Sequence, residues 1–207
     1  MFLVFEGMDG SGKTTQAQLL ARYLEEKRGV DVLLVREPGG TALGEKLREL
    51  VLDPASGEIH AATEVFLFMA ARSHLVRTKI LPALEAQRVV ISDRFFWSTV
   101  VYQGMAAGVA PREIFRMARM AAPGIRVRKT FVIDMDPEIA LERVKAKNRM
   151  EHRGLEFQVR VREAFLSLAE TFKRRATVID GRGTPEEVHA RVIAQLPTHG
   201  WSRCSCR

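Results

Sequence analysis

The sequence predicts an α/β fold, with a central parallel sheet of five strands flanked by helices. Three observations carry this. Five short apolar runs recur along the chain, at residues 3–5, 32–35, 89–92, 130–133 and 176–179. Unbroken runs of that kind suit parallel strands buried on both faces. The stretches between them carry helical spacing, and strand–helix alternation points to one open sheet with right-handed crossovers. Finally, a glycine-rich turn joins the first run to the first helical stretch.

The elements follow in order. After strand 3–5, Leu20 and Leu24 line a first helix, and after strand 32–35, Leu43, Leu47, Leu50 and Val51 line a second. Strands 89–92 and 130–133 come next. Asp136-Pro137 then sets a capping residue before a first-turn proline. Val161, Phe165, Leu168 and Phe172 give a later helix its apolar face. Beyond strand 176–179, Thr184-Pro185 starts a last helix, and Thr184 with Glu187 fits a capping box. Residues 1–196 are expected to form one domain. Residues 197–207 lack an apolar period and are expected to fray.

A chain of 207 residues with 46% apolar content builds one core rather than two. Its net charge of +7 suits a nucleic-acid binder, an enzyme handling several phosphates, or a merely basic surface. Charge alone does not decide among them. No apolar run is long enough to span a bilayer, and the first residues lack a signal peptide's basic flank and cleavage site. Cys204 and Cys206 are the only cysteines. That excludes a disulfide framework and leads us to expect a reducing, cytoplasmic location. With nearby His199 they offer too few ligands for a metal clip.

Gly7-Met8-Asp9-Gly10-Ser11-Gly12-Lys13-Thr14 matches G-x-x-x-x-G-K-[ST] in full, between an apolar strand and an amphipathic helix. Glycines let backbone N–H groups turn in around phosphate oxygens, and the helix N-terminus adds partial positive charge. Lys13 is placed for the β- and γ-phosphates, and the Thr14 hydroxyl for Mg²⁺. A loop of this kind specifies a nucleoside triphosphate but not a reaction. An N-K-x-D guanine motif is absent. Asp93-Arg94 ends the third strand, where open sheets bind ligands. There Asp93 suits water-mediated Mg²⁺ and Arg94 a bidentate grip on an anionic acceptor. A plain strand-end ion pair is the alternative.

At this point a resemblance becomes specific. The blocks Phe5-Glu6-Gly7 through Lys13-Thr14-Thr15, Arg36-Glu37-Pro38-Gly39-Gly40-Thr41, Phe68-Met69-Ala70-Ala71-Arg72, Ser92-Asp93-Arg94-Phe95 and Ser98 through Gln103-Gly104 occur in order. Arg149-Met150-Glu151 and Gly154-Leu155-Glu156-Phe157 close the series. From Phe2 to about Leu196 the chain resembles the bacterial thymidylate kinase family, P-loop kinases that move the γ-phosphoryl group of ATP onto dTMP with Mg²⁺ on the route to dTTP. The resemblance implies an ATP site over Gly7, Met8, Asp9, Gly10, Ser11, Gly12, Lys13, Thr14 and Thr15, with Arg143 beside it. It implies a dTMP site of Asp9, Glu37, Pro38, Arg48, Phe68, Arg72, Arg94, Thr99, Tyr102 and Gln103. Lys13, Arg94, Arg149 and Asp9 would be catalytic, and Thr14, Asp9 and Asp93 would hold the metal. It also implies a homodimer, with the helix around residues 66–76 a contributor.

These residues have physical readings of their own. Phe68 and Arg72 share a helix face, so a ring can stack on a pyrimidine beside a guanidinium. A core phenylalanine beside a surface arginine has the same spacing, and only the resemblance separates the two. Thr99, Tyr102 and Gln103 share a face if their stretch is helical; the resemblance implies that they line the thymine and deoxyribose, with Tyr102 crowding a ribose 2′-hydroxyl, and core packing is the alternative for Tyr102. Between Arg143 and Arg162 lies a dense charge block including Lys145, Lys147, Arg153 and Arg160. It suits a solvated helix, a nucleic-acid patch or a lid. Phe157 is the block's sole aromatic, which argues against nucleic acid. The resemblance favours a lid over about residues 143–157, since relatives without an arginine in the P-loop supply that charge from the lid. The sequence departs from the family at Phe95, where tyrosine is usual, and at Asn148, where aspartate is frequent. No nucleic-acid or membrane partner is expected. The rivals are a P-loop kinase for another acceptor and a nucleotide-dependent nucleic-acid-binding module.

Overall fold

A computed structural model describes residues 1–144, 154–197 and 201. Five strands form one sheet: β1 (Phe2–Glu6), β2 (Val32–Arg36), β3 (Val89–Asp93), β4 (Lys129–Asp134) and β5 (Ala176–Asp180). Their order is β2-β3-β1-β4-β5 and every pairing is parallel. Each apolar run of the sequence is a strand, one or two residues longer than its apolar stretch. Residues of β1 are buried throughout, as expected of a central strand covered on both faces.

One face of the sheet is covered by α1 (Lys13–Arg28) and α9 (Pro185–Ala194), with Leu20, Leu24, Val188 and Val192 in a shared core with Leu3, Phe5 and Phe131. The capping box at Thr184 and Glu187 is present, as is the Asp136 cap on α7 (Pro137–Arg143). The other helices are α2 (Ala42–Leu52), α3 (Ala61–Leu75), α4 (Leu81–Glu85), α5 (Phe96–Thr99), α6 (Pro111–Ala121) and α8 (Gly154–Thr171). Two wide π turns, Val76–Ile80 and Val100–Met105, extend α3 and α5.

In α2 the predicted helix is present, and its apolar residues are divided between core and solvent. Val51 is buried, but Leu43 is 45% exposed and Leu50 53%. A three-to-four spacing reports a shared face, not which way the face turns. The charge block is described in part. Its described end is packed helix: in α8, Phe157 and Val161 are buried, and Arg162 forms a two-bond ion pair with Asp134 (2.7 and 2.9 Å). The lid expectation for residues 145–153, which include Arg149 and Arg153, lies outside the described residues, as do Cys204 and Cys206.

Strand register fixes where the chemistry gathers. Phe5 and Arg36 both align with Asp93, so β1, β2 and β3 end at one level. Two backbone bonds carry that level into the loops: Glu37 N–H donates to the Asp93 carbonyl (3.0 Å) and Arg94 N–H to that of Phe5 (2.9 Å).

Candidate active site

The glycine-rich loop wraps the N-terminus of α1. Gly7, Gly10 and Gly12 all have positive φ, at 136°, 78° and 94°. A Cβ on Gly10 would collide with the Ala140 carbonyl of α7, so the loop needs glycine there for close approach. A Cβ on Gly12 would meet nothing within 4 Å; there the left-handed backbone alone asks for glycine. Met8 and Ser11 are buried, and Ser11 Oγ has no hydrogen-bond partner. Lys13 is also buried, with Nζ donating to the Met8 carbonyl at 2.6 Å. Burial, aided by the Arg94 charge, lowers its pKa to about 8 against the pull of Asp9, Asp93 and Glu6. Thr14 donates to Asp93 Oδ2 (2.5 Å), while Asp93 Oδ1 is buried without a partner. Thr15 and Arg143 are exposed. Arg143 lies one turn beyond Ala140 on α7, the helix that flanks the loop.

Beside the loop lies a cavity. It is lined by Asp9, Glu37, Pro38, Arg48, Phe68, Arg72, Arg94, Thr99, Tyr102 and Gln103, all anticipated, together with Leu52, Phe95 and Ser98. Arg72 is buried on α3, bound through Nε and Nη2 to Glu37 (2.7 Å) and through Nη2 to Thr99 Oγ1 (3.1 Å). Its guanidinium sits 5.3 Å over the Phe95 ring, so the departure to phenylalanine keeps an aromatic seat for this cation. Burial raises the pKa of Glu37 despite the Arg72 charge. Phe68, half-buried one turn before Arg72, presents its ring to the same cavity. Arg48 reaches back to the Pro38 carbonyl (3.0 Å), tying α2 to the Glu37-Pro38 loop.

Arg94 links cavity and loop. It is one of two non-glycine residues with positive φ (71°) among those described. Its guanidinium donates to the Gly7 carbonyl (3.0 Å), to Ser98 Oγ (2.8 Å) and to Asp9 Oδ1 (2.5 Å). Burial opposes its charge, but Asp9 and the other nearby anions outweigh that and hold its pKa above the ordinary value. Tyr102 lies under it, 5.3 Å from ring centre to guanidinium carbon, and donates to Asp9 Oδ2 (3.1 Å). Burial, reinforced by the Asp9 charge, raises the pKa of that phenol. Both oxygens of Asp9, expected also as a metal ligand, are therefore engaged by Arg94 and Tyr102. Among the described residues no three His, Cys, Asp or Glu side chains converge on a metal position.

Thr99, Tyr102 and Gln103 do share a face, but the backbone carrying the last two is a π turn rather than plain α-helix. Two carboxylates behind the cavity escaped the sequence reading. Glu6 accepts from the Phe95 and Ser98 amides and the Ser98 hydroxyl (3.0, 3.2 and 2.5 Å). Glu64 accepts from Gln103 Nε2 (2.7 Å). A carboxylate inside an apolar strand was the signal for Glu6. Glu64 reads as an ordinary acidic residue in a helix's first turn.

A phosphate-binding loop joined through one arginine to a second cavity describes a two-substrate phosphotransferase. The family model for thymidylate kinase matches residues 5–192. The chain belongs to the thymidylate kinase family. It is 41% identical to the thymidylate kinase of Geobacillus sp. (strain WCH70), covering 94% of this chain and 95% of that one. It is 45% identical to that of Carboxydothermus hydrogenoformans, covering 90% and 92%. The crystal structure of thymidylate kinase from Ehrlichia chaffeensis superposes with a TM-score of 0.78 at 36% identity, covering 94% and 96%. Family members phosphorylate dTMP to dTDP with ATP, so this chain is a kinase of that reaction class.

Proposed function

We propose that the glycine-rich loop takes ATP, that the cavity takes dTMP, and that Arg94 aligns the two for direct transfer. The observation that carries this is convergence. Side chains from five separate stretches meet in one cavity, and Arg94 in that cavity touches the loop through the Gly7 carbonyl.

A 5′-phosphate oxygen of dTMP attacks the γ-phosphorus in line, the bond to the β,γ-bridging oxygen breaks, and ADP leaves. The acceptor phosphate is already anionic near neutrality, so no general base is required. Lys13 sits where α1 begins and brings its cation to the β- and γ-phosphates. Its contact with the Met8 carbonyl is exchanged for phosphate oxygens. Arg94, kept charged by Asp9, faces the acceptor phosphate. Phe68 stacks on the base, Arg72 donates to it, and Tyr102 closes the space beside C2′ of the sugar.

A divalent metal fits the residues present. Asp93 Oδ1 is a buried, unpartnered oxygen and Oδ2 takes the Thr14 hydroxyl. Such an oxygen-only pair suits Mg²⁺, which keeps most of its own water. Thr14 and Asp93 would hold Mg²⁺, which would supply positive charge to the phosphates. Arg149 supplies the lid's cation in this reading, and Arg149→Ala is expected to lower turnover severely. A second copy of the chain covers the exposed apolar side chains of α2 and α3, Leu43, Leu50 and Phe66 (65% exposed), giving a homodimer. Among the described residues no helix is long and apolar enough to cross a membrane, and we place the enzyme in the cytoplasm.

The test is coupled ADP release with dTMP, dUMP, dCMP and GMP as acceptors. Turnover strongest with dTMP is expected. Equal or greater turnover with GMP would overturn the assignment of the cavity.

A further inference from the structure

The mechanism above has no use for Glu64. This carboxylate lies in the first turn of α3 and is completely buried (0% exposed). Its Oε2 accepts from Gln103 Nε2 at 2.7 Å, and Gln103 is itself buried and lines the cavity. The two ends of a glutamine amide are almost the same size, so packing does not choose between them. A carboxylate does choose, because it only accepts. With the amide nitrogen held by Glu64, the oxygen Oε1 is the end left to the cavity.

Arg72 fixes the complementary half. It can only donate; its Nε and Nη2 are held by Glu37 and Thr99, and its Nη1, which contacts Met69 Sδ at 3.3 Å, carries a second N–H. The polar wall therefore offers a donor from α3 and an acceptor from the π turn. A ring edge with a carbonyl beside a ring N–H matches that order. One with an amino group beside a bare ring nitrogen reverses it and sets donor against donor and acceptor against acceptor.

We propose that Glu64 is a specificity-determining residue that fixes the Gln103 amide and so selects a 4-oxo over a 4-amino pyrimidine. It touches no substrate and acts through Gln103. The proposal rests on the cavity being the acceptor-base site.

The experiment measures kcat/KM for dTMP and dCMP in wild type, Glu64→Gln, Glu64→Asp, Gln103→Met and the double variant Glu64→Gln/Gln103→Met, with KM for ATP alongside. A glutamine at 64 bonds either end of the Gln103 amide, so the dTMP-to-dCMP ratio should fall at least about 10-fold. KM for ATP should hold. Glu64→Asp keeps an acceptor and should keep most of the ratio. In the Gln103→Met background, Glu64→Gln should change the ratio no further. An unchanged ratio in Glu64→Gln overturns the proposal, as does an equal loss on both acceptors or a ratio that still shifts when Gln103 is gone. Should Glu64→Gln not fold, Gln103→Met alone decides, because an unchanged ratio there leaves Glu64 nothing to act through. A wild type that does not prefer dTMP to dCMP overturns the reading of the cavity itself, and the proposal with it. That outcome is separate from one in which only the variants disappoint.

Discussion

The proposed acceptor cavity and the glycine-rich loop lie side by side and are finished to different degrees. In the cavity the cations and the amide already have protein partners: Arg72 has Glu37 and Thr99, Arg94 has Asp9 and Ser98, Arg48 has Pro38, and Gln103 has Glu64. One orphan remains there, Glu37 Oε1. In the loop, Ser11 Oγ is buried without a partner and the Lys13 ammonium rests on a backbone carbonyl, while at the adjoining end of β3 Asp93 Oδ1 is a buried acceptor without a donor or cation. In the proposed assignment the acceptor is thus read by groups the protein has oriented in advance. The donor completes its own site, since phosphate oxygens are what the loop's donors lack. Changes on the two sides should therefore fail differently.

The largest effect is expected at Lys13. Lys13→Met removes a cation aimed at the transferring group and should lower kcat by roughly 10³-fold, or ~4 kcal/mol of barrier. Holding a buried ammonium is costly to the fold, so the thermal midpoint should stay level or rise. A kcat within tenfold of wild type would remove Lys13 from the transfer step. A sharp fall in the midpoint would mean that the loop is as internally satisfied as the cavity.

The next effect reverses that pattern. Arg72→Gln strands the Glu37 carboxylate in a buried site, at a cost of about 3 kcal/mol in stability. It should raise KM for dTMP by roughly 100-fold and leave KM for ATP alone. Arg72→Lys should rescue little, because an ammonium cannot make the forked contact to Glu37 and Thr99 at once. Chemical denaturation together with KM for each substrate separates these outcomes. A parallel rise in both KM values would show that the two sites are not independent.

This contrast also explains what the sequence made legible. The loop is local: eight consecutive residues between a strand and a helix carry its chemistry, and spacing alone exposes it. The strands were legible too, because each is an unbroken apolar run. The cavity is assembled from distant segments. Glu37 and Arg72 are 35 residues apart, Asp9 and Arg94 85. Periodicity placed Phe68 with Arg72 but did not separate a binding pair from a core ring and a surface cation; the resemblance did. Local sequence did not expose Glu6 and Glu64 as partners: the apolar strand that Glu6 ends signals its burial and Glu64 reads as an ordinary first-turn acid, but what defines both is the residue they face across the fold. The outward turn of Leu43 and Leu50 was equally hidden, because a stripe records periodicity and not direction.

The smallest expected effect on activity lies where the two regions meet, beside Arg94. Two carboxylates flank it and are driven apart in acidity. For Asp9, burial pushes the pKa up, but Arg94, Lys13 and the hydrogen bonds from Arg94 and Tyr102 win and bring it to about 2. For Glu6, burial prevails over Ser98, Arg94 and the Phe95 amide and raises it from 4.5 to about 7. The signs differ accordingly. Asp9 binds its proton less tightly in the native state, so its contribution is present above pH 3.8 and is lost as pH falls toward 2. Glu6 binds its proton more tightly when folded, so stability is full below pH 4.5 and declines as pH rises through 7, by roughly 3 kcal/mol once complete. Glu6→Gln keeps an acceptor for the Phe95 and Ser98 amides but cannot ionise. Urea denaturation at a series of pH values should show the wild type losing stability relative to the variant between pH 4.5 and 7, while dTMP turnover near pH 6 stays within about tenfold. A wild-type-minus-variant difference that is flat across that window would mean the Glu6 charge is as well compensated as that of Asp9. Arg94 would then be gripped equally from both sides, and the boundary between the preorganised cavity and the open loop would lie nearer the phosphates.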